Sequence, residues 1–359
     1  MHPSLSPRRL RCGILGLVLG LWLTSSPADT LGNDPAIDAF ASTLAARHGF
    51  DANTLRTELA DIEPNETVLQ AIRPAATAER KSWQRYRSRF LTPQRIGGGQ
   101  HFWQAHQEEL TRAEKQYGVP AEIIVAIIGV ETEYGRNTGR FNALQALATL
   151  AFRYPPRAEF FREELEQLYL LAREQTRPAG QFESSYAGAI GIPQFMPGSV
   201  RRYAVDFDGD GQIDLHRSHA DAIGSVAAFL AAHGWERGAP IVVPALLGDA
   251  DPAPLVEAGI RPSFERQQLA AMGLDVEHLA ESGRFALIDL VTPDAATEYW
   301  WGYPNFYAIT RYNRSNSYAM AVTQLAEAIR EAQTQGVTPP APRKKAAKAG
   351  SRVKRRRGG

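Results

Sequence analysis

Apolar residues recur with helical spacing along most of the chain, which predicts a mainly α-helical protein. They return every three or four positions, the spacing that places them on one buried face of a helix. The predicted helices are Asp34–Arg47, Asp51–Asp61, Ala75–Arg89, Phe102–Tyr117, a helix that begins at Pro120, Asn142–Phe152, Arg157–Arg173, Ala220–His233 and Ser317–Gln333. The triplet Gly97-Gly98-Gly99 predicts a loop before the fourth of these, because consecutive glycines favour irregular backbone.

The pattern changes between about residues 239 and 310. The short runs Ile241–Val243 and Ala286–Val291 are apolar, contain β-branched residues and predict strands. Prolines interrupt the rest of this region, at Pro252, Pro254 and Pro262. We therefore expect an α+β protein, predominantly α-helical, with a small β-containing subdomain inserted in the helical body.

One carboxylate, Glu131, ends the apolar run Ile123–Val130. On a helix it shares a stripe with Ile124, Ile127 and Ile128, so its side chain should point toward the interior. A carboxylate held there loses hydration, and its pKa should rise. A group that stays protonated near neutral pH and donates that proton has the profile of a general acid.

Other interpretations of this segment stay open. Glu131 is structural if it ends the helix paired with Arg136 or Arg140. Glu133 is the competing carboxylate, but it lies about 200° around the helix from Glu131, so both cannot face one cleft if the helix continues. Gly135 is the predicted end of that helix.

The first 28 residues are typical of a secretory signal. Arg8, Arg9 and Arg11 precede the apolar run Gly13–Leu23, and small residues follow it up to Ala28. The run is short for a membrane span, although an uncleaved anchor is the alternative. We expect export to the periplasm, with cleavage after about Ala28.

Cysteine usage agrees with export. Cys12 is the only cysteine, and it precedes the apolar run instead of following it as a lipid acceptor would. We therefore do not expect a lipoprotein. The mature chain would have no cysteine, which excludes disulfides and thiol catalysis.

The net charge of +1 conceals an uneven distribution. The tail at residues 337–359 carries nine of the 40 basic residues and no acidic residue, whereas the body from 29 to 337 has 28 basic and 39 acidic residues. Such a tail cannot bury a core and should be disordered. It has the charge to contact an anionic envelope polymer. A merely solubilising tail is the alternative, and export makes nucleic acid an unsuitable partner.

An acidic segment begins at Asp206 and predicts a calcium loop. Oxygen ligands occupy alternate positions of a tight turn, at Asp206, Asp208, Asp210 and Gln212. Gly211 stands at the sixth position, where a calcium loop bends sharply. Arg217 replaces the usual glutamate at the twelfth position, so Asp221 is the best candidate for the missing carboxylate. Asp221 also suits a helix N-cap, and a solvated acidic turn is the alternative to a structural Ca²⁺ site.

Two further segments have the composition of a sugar-binding cleft. In the apolar loop Ser184–Pro197, Gln194 can bond an acetamido group, while Phe195 and Met196 can pack on a sugar face. Eight aromatic residues lie between Tyr299 and Tyr318, and aromatic faces stack on pyranose rings. Within that run the amide of Asn313 stands beside Tyr312. A buried loop and a core aromatic cluster are the alternatives.

Five long segments carry motifs in a fixed order: VPAEIIVAIIGVETEYG, NALQALATLAFRYPPRAEFF, YAGAIGIPQFMPGSVRRYAVDFDGDGQIDL, DAIGSVAAFLAAHGW and TRYNRSNSYAMAV. With these motifs the chain resembles the lytic murein transglycosylases of the B type. The resemblance runs from about Asp34 to Gln333 and leaves the tail outside. It implies a lysozyme-like core, a flanking helical domain, a small β domain and a deep cleft between them.

Together with the signal and the tail already described, the resemblance gives the expected domains and site residues. The expected parts are a signal at 1–28, an N-terminal helical segment at 29–84, a lysozyme-like catalytic region at 85–238 with a calcium loop at 206–221, a β-containing subdomain at 239–310, a closing segment at 311–336 and the tail at 337–359. Glu131 matches the single catalytic acid/base, and Ser185 matches the serine that hydrogen-bonds it. The matching cleft residues are Tyr86, Arg157, Gln194, Phe195, Met196, Asn313 and Tyr318; the matching calcium ligands are Asp206, Asp208, Asp210, Gln212 and Asp221.

The chain departs from the family pattern at three places. Pro156 and Phe160 stand where an arginine and a tyrosine are usual, so affinity for the substrate's peptide or sugar groups is expected to differ. The loop before Asp221 is one residue longer than usual, which puts that ligand in question.

The implied substrate is the glycan strand of peptidoglycan, bound by a monomer. The sequence offers one carboxylate for the cleft, whereas hydrolytic glycosidases use two. One acid/base suffices if the substrate's own C6 hydroxyl attacks, which leaves a 1,6-anhydro end. A hydrolytic muramidase and a non-catalytic, calcium-stabilised wall-binding module are the alternatives.

Overall fold

The computed structural model describes residues 30–32, 34–73 and 82–335. The expected signal, the basic tail and residues 75–81 of one expected helix lie outside the described residues. Within the described ranges, no helix combines the length and the apolar character needed to cross a membrane.

Short helices at the N-terminal end of the described chain begin at side-chain caps. They are α1 (Pro35–His48), α2 (Ala52–Ala60), α3 (Glu66–Ile72) and α4 (Trp83–Ser88). The Asp34 carboxylate accepts a hydrogen bond from the Ala36 amide, and the Asp51 carboxylate accepts one from the Thr54 amide. Such caps satisfy backbone N–H groups that have no partner inside the helix. The first two helices confirm the sequence pattern, whereas α3 was not anticipated.

The central body consists of helices that surround one apolar helix. Its elements are α5 (Pro93–Ala105), α6 (Gln107–Tyr117), α7 (Ala121–Thr132), α8 (Ala143–Arg153), α9 (Ala158–Glu174), α10 (Pro197–Tyr203) and α11 (His219–Ala232), with a two-stranded ribbon of β1 (Phe141–Asn142) and β2 (Glu183–Ser184). Helix α7 is apolar on all sides and is buried from Ala121 to Gly129 except at Glu122. It packs against α5, α6 and α11. An all-round apolar helix is stable only where neighbours cover every face.

A small antiparallel sheet follows the helical body. Its four strands are β3 (Val242–Pro244), β4 (Phe264–Glu265), β5 (Arg284–Leu290) and β6 (Glu298–Gly302), arranged in the order β3-β6-β5-β4. Leu269, Phe285 and Trp301 belong to a separate apolar cluster under it. The two strands expected from the sequence are confirmed within a few residues, whereas β4 and β6 were missed. The short helices α12 (Ala253–Glu257) and α13 (Arg266–Ala271) were missed too.

The last two helices return the chain to the body. These are α14 (Pro304–Thr310) and α15 (Asn316–Thr334), and α15 packs along α5 and α7. The structure thus agrees with the expected class of a predominantly helical α+β protein with small sheets.

The expectation of a glycine loop at residues 97–99 is wrong, because these residues lie inside α5. The expected single helix at 102–117 is also two helices, with the break at His106. Tertiary packing explains why glycines occupy these positions inside a helix. A Cβ atom on Gly99 would lie 2.5 Å from the Ile329 side chain of α15, and one on Gly98 would lie 2.7 Å from the Tyr134 ring. Glycine lets α5 approach both neighbours closely, and this outweighs its low helix propensity.

Substitutions at two glycines of α5 should have opposite effects on stability. Gly97→Ala should raise the free energy of unfolding by about 0.5–1 kcal/mol, because alanine is the better helix former and its Cβ would meet no atom within 4 Å. Gly99→Ala should lower it by about 1–3 kcal/mol through overpacking against Ile329. Urea unfolding of both variants measures the difference. A Gly99→Ala protein as stable as the wild type would contradict the close approach.

Candidate active site

Glu131 lies at the floor of a cleft of about 710 Å³. Ile124, Ile127 and Ile128, which share a helix face with Glu131, are fully buried, while Glu131 itself is half-buried near the end of α7. Burial raises the pKa of Glu131 to about 7, and a hydrogen bond from Tyr318 acts in the opposite direction. The expected rise of this pKa is therefore confirmed.

Backbone geometry ends the helix immediately after Glu131 and Thr132. Glu133 and Tyr134 adopt left-handed conformations, with φ of 51° and 63°, two residues before the expected stop at Gly135. The Thr132 hydroxyl donates to the Ile192 carbonyl over 2.9 Å and accepts from the Gly135 amide over 3.0 Å. These bonds hold the end of α7 against the loop that forms the cleft wall.

The competing carboxylate takes another role. Glu133 pairs with Arg95 at 3.3 Å and does not line the cleft, and the Arg95 guanidinium also donates to the Gly129 carbonyl. Within the described chain, Glu131 forms no ion pair with Arg136 or Arg140. The structural interpretation of Glu131 as a paired helix-end residue therefore does not hold.

One tyrosine hydroxyl bonds the half-buried carboxylate, and two further tyrosines lie near enough to feel its charge. The Tyr318 hydroxyl donates to Oε1 of Glu131 over 2.6 Å, and the Tyr312 ring stacks parallel to the Tyr318 ring at 6.4 Å. Burial and the charge of Glu131 raise the pKa of Tyr86 to about 12 and the pKa values of Tyr312 and Tyr318 well above the usual range. All three phenols therefore remain protonated at neutral pH; Tyr318 donates to Glu131, whereas the Tyr312 hydroxyl donates to the Pro193 carbonyl over 2.6 Å.

The hydrogen bond to Glu131 expected from Ser185 is supplied by Tyr318 instead. The Ser185 hydroxyl accepts from the Ala189 amide over 3.2 Å, a bond inside its own loop. Gln194 has a left-handed backbone with φ of 53°, and its side-chain amide donates to the carbonyls of Thr138 and Gly191. Its Nε2 is thus committed to the protein, which leaves Oε1 for a ligand.

The cleft brings together most of the residues expected from the sequence. Those that line it are Glu131, Arg157, Gln194, Phe195, Met196, Tyr312 and Asn313. Phe195 is only 2% exposed and packs on Phe229 and Tyr312, so it supports the wall instead of offering an open face. Arg157 lies over the Phe160 ring at 4.3 Å. Of the eight aromatic residues between Tyr299 and Tyr318, only Tyr312 lines this cleft.

Sequence reasoning missed part of the lining. The missed residues include Phe161, Glu164, Arg202, Tyr203, Phe229, His233, Arg311 and Arg314. Arg311 and Arg314 flank Tyr312 and Asn313, which the sequence had already indicated as cleft residues. This neighbourhood was the signal from which the two arginines could have been predicted. The others come from helices α9, α10 and α11 and from His233, the residue that follows α11, and no spacing in the sequence links them.

The expectation of a single cleft carboxylate is wrong, because Glu164 of α9 also lines the cleft. Glu164 is 8% exposed, and its Oε2 accepts from the Gly198 amide over 2.8 Å. Burial raises its pKa despite that bond. This carboxyl group is therefore fixed to the start of α10.

The acidic loop has the geometry of a cation site. Carboxylate oxygens of Asp206, Asp208 and Asp210 lie within 4.8 Å of one another. Gly211 has a φ of 90°, and its amide donates to Asp206 Oδ2 over 2.8 Å, which forms the sharp bend expected at the sixth position. Three clustered carboxylates on a tight turn fit a hard cation such as Ca²⁺.

Asp221 anchors this loop through its buried side chain. It is 1% exposed, and its two oxygens accept from the amides of Phe207 and Asp214, each over 2.8 Å. The alternative that Asp221 is a helix N-cap is wrong, because Ser218 caps α11 and accepts from the Asp221 amide. The Asp221 carboxylate is not part of the three-aspartate cluster.

The sequence and the fold match known proteins over most of the chain. Residues 32–327 match the family model described as the transglycosylase SLT domain. The chain belongs to this family. It is 42% identical over 313 residues to the membrane-bound lytic murein transglycosylase B of Escherichia coli strain K12, covering 84% of this chain and 85% of that protein.

Solved transglycosylase structures share this fold. Soluble lytic transglycosylase SltB1 from Pseudomonas aeruginosa is 48% identical with a TM-score of 0.76, covering 84% of this chain and all of that one. The Escherichia coli lytic transglycosylase Slt35 in complex with calcium is 41% identical with a TM-score of 0.72, covering 84% and 95%. Pseudomonas aeruginosa SltB3 in complex with NAG-NAM-pentapeptide is 31% identical with a TM-score of 0.70, covering 84% and 80%.

Glu131 in this transglycosylase fold should make stability depend on pH. Its pKa rises from 4.5 to about 7 on folding. Its stabilising contribution is therefore fully present below pH 4.5 and is lost as the pH rises through 7. Glu131→Gln cannot ionise, so its stability relative to the wild type should increase by up to about 3 kcal/mol between pH 4.5 and 8.

Urea unfolding across that pH range measures this difference. Glu133→Gln is the matched control, because it removes the same charge two residues away and outside the cleft. A constant stability difference between Glu131→Gln and the wild type at every pH would contradict the perturbed carboxyl group.

Proposed function

We propose that this protein is a periplasmic lytic transglycosylase that cleaves the MurNAc-β-1,4-GlcNAc bond of peptidoglycan and leaves 1,6-anhydro-MurNAc ends. The observation that carries the proposal is Glu131, whose carboxyl group has a pKa of about 7 at the floor of an open cleft. Such a group exchanges its proton readily near neutral pH and can act as both acid and base.

In the first step, protonated Glu131 donates its proton to the glycosidic oxygen while the bond from that oxygen to C1 of MurNAc breaks. The GlcNAc hydroxyl leaves, and an oxocarbenium-like centre develops at C1. The substrate's N-acetyl group can stabilise this centre, as in substrate-assisted glycosidases. The Tyr318 hydroxyl, 2.6 Å from Oε1, stabilises the carboxylate that forms.

In the second step, the Glu131 carboxylate removes the proton from the C6 hydroxyl of the same MurNAc. The C6 oxygen then bonds to C1, which closes the 1,6-anhydro ring and regenerates the protonated acid. No water is consumed. The reaction therefore requires one titrating carboxyl group that changes role between the two steps.

The hydrolytic muramidase is the second candidate, and Glu164 is the observation that favours it. An inverting hydrolase needs a second, ionised carboxylate to activate water. Glu164 lines the same cleft, but its Oε2 already accepts the Gly198 amide over 2.8 Å. This bond fixes the carboxyl group to the start of α10 and leaves it poorly placed to activate a water, so we favour the transglycosylase reaction.

Mass spectrometry of the released muropeptides tests the choice of reaction. The wild type should release products lighter by one water than the corresponding reducing-end muropeptides, because the C6 hydroxyl replaces water as nucleophile. Reducing ends as the main product would support the muramidase. A wild type that clears no purified peptidoglycan would support a non-catalytic binding module.

Glu131→Gln should lower the rate of peptidoglycan clearance by at least about 10²–10⁴-fold, because one group supplies both proton transfers. For the wild type, kcat/KM should fall as the pH rises through about 7, where the acid loses its proton. Glu133→Gln is the matched control and should keep its activity, because Glu133 lies outside the cleft and a glutamine oxygen can still accept the bond from Arg95. Unchanged clearance by Glu131→Gln would remove this residue from the mechanism.

We also propose that the aspartate loop binds a structural Ca²⁺. Asp206, Asp208 and Asp210 would provide carboxylate ligands, with Gln212 completing the series of alternate positions. Bound Ca²⁺ would crosslink the loop that precedes α11 and would take no part in the chemistry. A relative of this fold has been solved in complex with calcium, which supports the assignment.

Calcium should raise the melting temperature of the wild type relative to the protein in chelator. Binding only to the folded state stabilises it by about 2.7 kcal/mol when the free ion is at 100 times its dissociation constant. Asp208→Asn should lose most of this response, whereas Asp249→Asn, an exposed carboxylate in another loop, should keep it. An identical melting temperature with calcium and with chelator would contradict the site.

A further inference from the structure

A second cavity adjoins the cleft and carries positive charge. It has a volume of about 750 Å³ and is lined by Arg261, Arg311 and Arg314 together with the start of α15. Arg311 and Arg314 also line the cleft above Glu131, so the two cavities share a wall. We call the second cavity the arginine pocket. A ligand seated in the cleft can therefore extend a branch into it.

The three guanidinium groups have no acidic partner among the described residues. Arg311 lies over the Tyr307 ring at 5.8 Å, and no ion pair or side-chain hydrogen bond involves Arg261 or Arg314 in the described chain. No aspartate or glutamate lines the arginine pocket. The side-chain amide of Asn316, which lines the pocket, donates to Oδ1 of Asp289 over 2.9 Å, and Asp289 itself does not line it.

The N-terminus of α15 adds to the positive potential. Ser315 caps this 19-residue helix, and Asn316 and Ser317 follow at the pocket wall. No acidic residue lies in its first turn. The partial positive charge at a helix N-terminus favours an anion, as do three unpaired arginines.

The sugar chain of peptidoglycan does not supply that anion. In a peptide-bearing strand, the lactyl carboxyl group of MurNAc is consumed in the amide bond to the stem peptide. The remaining carboxylates are on the stem peptide, at its acidic residue and at its C-terminus. We propose that the arginine pocket binds a stem-peptide carboxylate and so selects peptide-bearing strands. This inference rests on the proposed function and identifies the part of the substrate that this pocket recognises.

The effect of the arginine pocket should appear in substrate affinity. Arg261 is exposed and lies outside the cleft, so it contributes binding energy without touching the reacting bond. Exposed charge pairs contribute little singly, so Arg261→Gln should raise KM for peptide-bearing strands about two- to fivefold and leave kcat unchanged. Salt should reduce the preference, because it screens exposed charges.

Three substrates separate the effect of the stem peptide's charge from the effect of its size. They are peptide-bearing strands, strands stripped of peptide by an amidase, and strands whose stem carboxylates are converted to amides. The wild type should prefer the first over the other two. Arg261→Gln should reduce this preference, whereas Arg284→Gln, an exposed arginine paired with Glu265 in the same β subdomain, should retain it. Equal KM for all three substrates in the wild type would overturn the proposal, as would equal losses on all three in Arg261→Gln.

A binding measurement separates this proposal from the proposed function. Free stem peptide should bind the wild type more tightly than the same peptide in amidated form, and Arg261→Gln should weaken this difference. If the protein cleaves no strand but discriminates the two peptides, the proposed function fails and the arginine pocket stands. If it cleaves all three strands alike and binds both peptides equally, the arginine pocket fails and the function stands.

Discussion

The structure depends on placing one carboxylate at the end of an otherwise apolar helix. Glu131 continues the buried face of α7, so it leaves bulk water while still reaching the cleft floor. Desolvation raises its pKa, and the 2.6 Å hydrogen bond from the Tyr318 hydroxyl lowers it. The balance of these opposing effects gives a pKa of about 7, where donation and removal of a proton are both possible. The surrounding helices are needed to maintain that balance.

The position of Glu131 depends on how α7 ends, and several contacts stabilise this end of the helix. Two consecutive left-handed residues, Glu133 and Tyr134, cost of order 1–3 kcal/mol each. Arg95 offsets part of this cost by bonding both the Gly129 carbonyl and Glu133. Tyr134 then packs against the glycines of α5, which leave space for its ring. The glycine-rich helix and the strained turn are therefore parts of one arrangement that fixes the Glu131 carboxyl group.

Local patterns predicted most of the longer helices, strands β3 and β5 and the acidic loop, because periodicity and turn chemistry are properties of neighbouring residues. They also predicted the perturbed Glu131, since its apolar flanks are contiguous in sequence. Local patterns failed where long-range packing decides. The glycines at 97–99 are helical only because α15 and Tyr134 lie against them. The partner of Glu131 is Tyr318, which lies 187 positions further along the chain, and Glu164 enters the cleft only through the packing of α9 on α10.

The two cleft carboxyl groups, Glu131 and Glu164, differ in the kind of hydrogen-bond donor that holds them and therefore in how freely they can rearrange. Glu131 accepts from a phenol, a side-chain donor that can adjust as the carboxyl group gains and loses its proton. Glu164 accepts from the Gly198 amide, a backbone donor at the start of α10 that cannot move without moving the helix. A Cβ on Gly198 would lie 3.2 Å from Glu164 and 3.1 Å from Arg202, so little space remains for rearrangement. Glu164 therefore ties α9 to the wall that carries Gln194 and Met196, which is why we propose Glu131 and not Glu164 for proton transfer.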